Sequence, residues 1–154
     1  LMCIRDSMCT SSGGEWGSSY PLHELELLDE EDKLEANIRK NDLRITDAWI
    51  SQNRDLWETI KDQTRKRLNY KTEPKRLLKQ LMARKDHDTF DALKDFKIPV
   101  FLMGGKYDGI APESNMRAMQ NNIRNSKLAF YEGGHLFLIQ DKNAFQDLIE
   151  WLLL

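Results

Sequence analysis

Asp108 and His135 are the two side chains whose types and settings could do chemistry. Asp108 stands in Gly104-Gly105-Lys106-Tyr107-Asp108-Gly109, and His135 closes Glu132-Gly133-Gly134-His135. Each loop follows a short apolar run, Val100-Phe101-Leu102-Met103 for the first and Leu128-Ala129-Phe130-Tyr131 for the second. An imidazole moves protons near neutral pH, and a carboxylate can hold it in one tautomer; together they are two parts of a nucleophilic triad. The third part, the attacking side chain, is not visible in this chain. On spacing alone the plainer reading stays open, an aspartate bracing an Asx-turn and a histidine after a Gly-Gly turn.

A strand–helix–strand unit would bring the two together. Pro112 opens a helix whose apolar positions are Met116, Met119 and Ile123, and this helix joins the two runs. Strands so connected run parallel, so both loops leave the carboxyl edge, where open α/β sheets bind ligands. The separation of 27 positions from Asp108 to His135 leaves room for one helix and one strand. Val100–Met103 is apolar at every position, which fits a strand covered on both faces. Asp141 is expected to cap a last helix with Phe145, Leu148, Ile149 and Leu152 as its buried stripe. Two parallel strands do not close a stable sheet, so a larger sheet is expected and the piece alone should be poorly soluble.

Upstream the chain divides into three. Residues 1–7 show no alternation, cap or turn logic and are set aside as a non-native lead. Residues 8–19, rich in Ser and Gly, read as the exit loop of a strand whose body is missing. Residues 20–86 read as helical. The Leu28-Asp29-Glu30-Glu31-Asp32 run suits a helix start, and Asn41-Asp42 could cap the next helix. Ile45, Trp49, Leu56 and Ile60 form one stripe, and Pro74 opens a helix with Leu77, Leu78, Leu81 and Met82 on its apolar face. Residues 87–154 are the α/β part, in which Asp88 could cap a short helix holding Phe90 and Leu93.

The whole chain narrows the class. Its 154 residues are 40% hydrophobic with a formal net charge of -2, enough for one domain with a real core and no global pull toward nucleic acid or anionic lipid. The basic run from Lys61 to Lys85 is thin in aromatics and is offset by the acidic Glu24–Asp42 region, so a solvated helix face is expected rather than a nucleic-acid site. No apolar run approaches the ~20 residues of a membrane span. Cys3 and Cys9 sit at one end and cannot staple the fold, which points to a cytoplasmic setting. His23, His87 and His135 lie far apart and fit no metal-ligand spacing. His87 reads as a boundary residue, and Trp16, Trp49 and Trp57 as packing.

Ile98-Pro99-Val100-Phe101-Leu102-Met103-Gly104-Gly105-Lys106-Tyr107-Asp108-Gly109-Ile110-Ala111-Pro112 resembles the acid-bearing segment of the α/β-hydrolase fold family, and Glu132–Asp141 resembles its histidine segment. The closest flavour is the group of small esterases and lactonases that includes 3-oxoadipate enol-lactonase-like enzymes. The resemblance runs from about Ser11 to Leu154 and is most specific in the last third. It implies an α/β chain: the C-terminal part of an α/β-hydrolase sheet, two parallel strands with covering helices, plus a helical cap at 20–86. It implies Asp108 as the acid, His135 as the base, a small carbonyl substrate, and no metal or organic cofactor. The family's G-x-S-x-G nucleophile turn has no match, since Gly17-Ser18-Ser19-Tyr20 lacks the second glycine. The chain is therefore expected to be inactive by itself. Two alternatives stand beside this: a relative with an Asp nucleophile, such as a dehalogenase or epoxide hydrolase, and a non-catalytic binding or scaffold protein. The sequence says nothing of oligomeric state.

Overall fold

All six residues of Val100–Gly105 are buried, and alternate side chains serve opposite faces of a sheet. Val100 and Leu102 pack with Met116, Met119 and Ile123, while Phe101 and Met103 pack with Tyr131, Phe137, Ala144 and Leu148. A strand with a helix on each face has no polar positions, which is why its sequence does not alternate. The computed structural model describes residues 5–8, 10–17, 19–68 and 74–153. In chain order these form β1 (Arg5–Met8), α1 (Glu30–Asn41), α2 (Asp47–Gln52), α3 (Arg54–Leu68), α4 (Pro74–Lys85), β2 (Val100–Gly105), α5 (Glu113–Asn122), β3 (Ser126–Tyr131), α6 (Phe137–Gln140) and α7 (Lys142–Leu152), with 3₁₀ turns at Leu22–Leu27 and Phe90–Asp95.

The sheet has three parallel strands in the order β1-β2-β3. Val100 pairs with Ser126 and Gly105 with Tyr131, so β2 and β3 end level, and the loops bearing Asp108 and His135 leave from one edge. The expected strand–helix–strand unit is present, with Pro112 as the N-cap of α5.

The third strand corrects the setting-aside of residues 1–7. Arg5 pairs with Val100 and Met8 with Met103, so the strand before the exit loop has a body and it is Arg5–Met8. Strand pairing is made by backbone groups, and Arg-Asp-Ser-Met carries no apolar alternation that would have marked it. Residues 1–4 and Cys9, and with them both cysteines, lie outside the described residues.

The exit loop turns back at Gly13 and Gly14, whose φ values of 73° and 65° favour glycine. Gly14 N–H donates to the His87 carbonyl at 3.0 Å, and Thr89 N–H donates to the Ser12 carbonyl at 2.8 Å. These bonds tie the exit of β1 to the junction at His87–Thr89, where the helical segment ends. Thr89, not Asp88, is the N-cap of the 3₁₀ turn; Asp88, one residue earlier, accepts Phe90 N–H at 3.0 Å.

The helical segment matches its patterns in part, with exceptions at Asn41-Asp42, at Leu56 and on α4. Asp29 caps α1, accepting from Glu31 and Asp32 N–H, with Glu30, Glu31 and Asp32 in the first turn. Asn41-Asp42 does not start a helix. It closes α1, and Thr46 caps α2 by accepting from Trp49 N–H. Nor is Leu56 in the buried stripe: Trp57 is, packed with Leu34 and Ile38, while Leu56 is exposed. Pro74 is the first residue of α4; Leu78 and Met82 are exposed, and the Leu77 side chain lies outside the described residues. Of the basic run, Lys61 pairs with Glu31, Glu35 and Glu58, and Arg65 pairs with Glu31, so the acidic first turn of α1 faces α3.

On α7, Asp141 is the N-cap, accepting from Asn143 N–H. The stripe is rotated from expectation. Ala144 and Leu148 are buried and Trp151 packs beside them, whereas Phe145, Ile149 and Leu152 are exposed. No helix among the described residues is long and apolar enough to cross a membrane.

Candidate active site

The β2 strand delivers Asp108 three residues beyond its last paired position, and β3 delivers His135 four beyond its own. The two loops are stitched before either side chain is considered. Lys106 N–H donates to the Tyr131 carbonyl at 3.1 Å and Tyr107 N–H to the Gly133 carbonyl at 2.9 Å, and a Lys106–Glu132 ion pair spans the loops outside. Such proximity requires residues without a Cβ. A methyl on Gly105 would lie 2.0 Å from the Gly134 carbonyl oxygen, and one on Gly134 would lie 1.9 Å from that of Asn41. These glycines serve close approach of backbones rather than a left-handed turn.

Within this frame His135 Nδ1 lies 2.9 Å from Asp108 Oδ2. The other carboxylate oxygen accepts Ile110 N–H at 2.8 Å and Ala111 N–H at 2.9 Å. The Asp108 side chain is wholly buried, while the imidazole keeps 29% of its surface exposed. Burial pushes the Asp108 carboxyl up. The bond to His135, the two backbone N–H groups and the imidazole's charge outweigh it and hold the carboxyl below its ordinary range. An ionised carboxylate only accepts, so the shared proton belongs to Nδ1, and in the neutral ring Nε2 is then the basic nitrogen.

A pH dependence follows with a definite sign. A carboxyl depressed in the folded state stabilises the fold above its unfolded value of about 3.9 and loses that contribution as the pH falls through the lower folded value. Denaturant titrations should therefore show stability falling steeply below about pH 4, and Asp108→Asn should flatten that fall while lowering stability at neutral pH.

His135 opens on a cleft of about 1090 Å³. The exit loop supplies Thr10, Ser11 and Ser19 to its wall, the helical segment supplies Tyr20 and His23, and the junction supplies His87. All three histidines thus line one space, although their sequence positions suggested separate settings. Fold contacts, not spacing, gather them. Trp16 lies away from it, 62% exposed and stacked on Phe90. Among the described residues no three His, Cys, Asp or Glu side chains converge as a metal site.

Sequence reasoning missed the end of α1. The Lys40 carbonyl accepts Gly109 N–H at 3.0 Å and the Asn41 carbonyl accepts His135 N–H at 2.6 Å. Carbonyls at a helix end lack partners within the helix, and here the two loops supply the donors. The run Asn41-Asp42 was visible as a capping signal, but nothing local says what it caps.

No protein-family model and no curated protein matches the chain by sequence. Solved structures do match. An alpha/beta hydrolase enzyme from a Medee basin deep-sea metagenome library superposes with a TM-score of 0.61 at 15% identity, over 94% of this chain and 53% of that one. The enol-lactonase from Burkholderia xenovorans LB400 gives 0.71 at 13% identity, over 98% of this chain and 56% of that one. An esterase from Exiguobacterium antarcticum gives 0.64 at 18% identity, over 87% and 46%. The fold is that of the C-terminal part of these α/β-hydrolase structures. The chain spans about half the length of these α/β-hydrolase structures, and at such identities the likeness speaks for the fold and not for a substrate.

Proposed function

We propose that this chain is the C-terminal portion of a hydrolase that cleaves a small ester, lactone or thioester, with Asp108 as acid and His135 as base. The observation that carries this is the 2.9 Å bond between His135 Nδ1 and a buried, ionised Asp108, set where a cleft opens at the carboxyl edge of a parallel sheet. The esterase and lactonase among the structural neighbours add support from the same fold.

In this reading residues 20–86 form a cap over the cleft, and the nucleophile comes from polypeptide preceding this chain. His135 Nε2 takes the proton of the attacking hydroxyl as the hydroxyl oxygen bonds to the substrate carbonyl carbon. The imidazolium then returns that proton to the leaving oxygen or sulfur as its bond to carbon breaks. In the second half, Nε2 takes a proton from water, the hydroxide releases the acyl group, and the proton passes to the nucleophile. Asp108 stays ionised throughout; it fixes the tautomer and stabilises the imidazolium.

The test joins the full chain, with β1 retained, to the upstream coding sequence and measures nitrophenyl ester turnover. Activity is expected from the joined protein and none from the chain alone, because no acyl-enzyme can form without the nucleophile. Turnover by the chain alone that His135→Ala abolishes would refute the assignment of the nucleophile to another stretch of polypeptide, as would an upstream sequence without a nucleophile on a strand-to-helix turn.

A further inference from the structure

The end of α1 does more than touch the two loops; a polar chain centred on the buried Asp42 fixes it to one of them. Asp42 is 7% exposed. Its Oδ1 accepts Arg44 N–H at 3.1 Å and Nε–H at 2.9 Å, and its Oδ2 accepts Arg44 Nη2 at 2.6 Å. Oδ2 also accepts Gln140 Nε2 at 3.0 Å, and Gln140 Oε1 accepts Gly134 N–H at 2.8 Å. The path Arg44–Asp42–Gln140–Gly134 therefore ends one peptide bond from His135. On the other side, Leu43 N–H donates to the Tyr107 carbonyl at 2.9 Å, and the Arg44 guanidinium stands 4.8 Å from the Tyr107 ring centre, one residue from Asp108. Burial pushes the Asp42 carboxyl up, yet the Arg44 and Gln140 bonds outweigh this and hold it below the ordinary range, so it is ionised.

With the Arg44 side chain 42% exposed, this ion pair is a weak source of net stability, because solvent screens it and burial of the carboxylate offsets its attraction. What it supplies is geometry. A bidentate guanidinium fixes both oxygens of Asp42, and the remaining lone pair selects one orientation of the Gln140 amide. That amide then sets where Gly134 N–H, and hence the His135 peptide, can lie. The direct Asn41–His135 backbone bond gives height; the Asp42–Gln140 link gives orientation. We infer that Asp42 and Gln140 are positioning residues that hold the His135 imidazole against Asp108, and that the helical segment and the Asp108–His135 pair are thereby coupled. Its bearing on catalysis rests on the hydrolase reading above; the geometric coupling does not.

The readout is the His135 Nδ1 proton, followed by NMR in the ring-labelled protein. With the pair intact this proton is hydrogen-bonded to Asp108 and shielded from exchange. Gln140→Leu changes no charge and removes both of its bonds; Asp42→Ala removes the anchor. Each should speed exchange of the Nδ1 proton by about tenfold or more, since exchange reports local opening. Gln140→Asn keeps the amide but is too short to span Asp42 and Gly134, and should behave alike if Gln140→Leu does not fold. Asp42→Asn keeps one acceptor oxygen and should fall between wild type and Asp42→Ala. Backbone amides of Phe101, Leu102 and Met103 should keep their protection in all variants. Unchanged Nδ1 exchange in Gln140→Asn and Asp42→Ala overturns the inference. Equal loss of protection at the strand amides also overturns it, since the two residues would then hold the whole fold. A fast-exchanging variant in a joined protein without hydrolase activity would uphold the coupling while removing the functional reading.

Discussion

His135→Ala in the joined protein should lower kcat for a nitrophenyl ester by about 10³- to 10⁴-fold with KM little changed. The reasoning is that the base acts only when the proton moves. A hydroxyl nucleophile is a poor attacker until its proton is withdrawn, and Nε2 is basic only because Nδ1–H is already committed to Asp108 Oδ2 at 2.9 Å. Binding of the ester to the cleft does not require that proton transfer, so the loss appears in turnover rather than affinity. Asp108→Asn should be nearly as severe for a different reason. An amide can present its NH₂ to the imidazole, which places the proton on Nε2 and removes the basic nitrogen from the cleft. Its other atom would still accept from Ile110 and Ala111 N–H, so the loop should hold its shape. The double variant should be no worse than His135→Ala, because the two act as a unit. Additive losses would mean that Asp108 acts elsewhere than through His135.

The elements of the site were readable because their residues carry local signals. Four apolar residues in a row at Val100–Met103 announce a strand covered on both sides, and Pro112 with Met116, Met119 and Ile123 announces the crossover helix. Level ends of β2 and β3 then bring Asp108 and His135 together without further information. What stayed hidden is long-range. Gln140 and Asp42 are 98 residues apart, and no pattern in either segment points to the other. Asp42 was seen as a helix cap, and it does stand at a helix end, but the partner that orders it is a distant amide. The glycines of the two loops were visible as turn formers. Their use, admitting one backbone against another, depends on which chain segment arrives from outside. The α7 stripe failed for a smaller reason: Ala144 and Phe145 are adjacent, and hydrophobic weight favours Phe while the close approach to the sheet takes Ala. Arg5–Met8 was missed because a short strand docking by backbone bonds needs no apolar code.

Gly134→Ala should destabilise the protein by about 3 kcal/mol or more, whereas Gly104→Ala should cost less than about 1 kcal/mol. Both replace a glycine in or beside the site loops, and both add one methyl. They differ in what the methyl meets. At Gly134 it would lie 1.9 Å from the Asn41 carbonyl oxygen and 2.8 Å from Asp42 Cα, all backbone, at the end of α1. Relief requires either lifting α1 off the loop or swinging the loop away from α1. The first breaks the Asn41 bond to His135 N–H, and the second pulls Gly134 N–H from Gln140. At Gly104 the nearest atoms are Phe130 Cε1 at 3.2 Å and Met116 Cγ at 3.4 Å, side-chain atoms that can shift by the few tenths of an ångström required. Denaturant midpoints separate the two cases, and the His135 Nδ1 proton adds a local reading: it should exchange rapidly in Gly134→Ala and remain protected in Gly104→Ala. Equal stability of the two variants would mean that α1 does not press on the His135 loop in solution, and the placement of the helical segment over the site would fall with it.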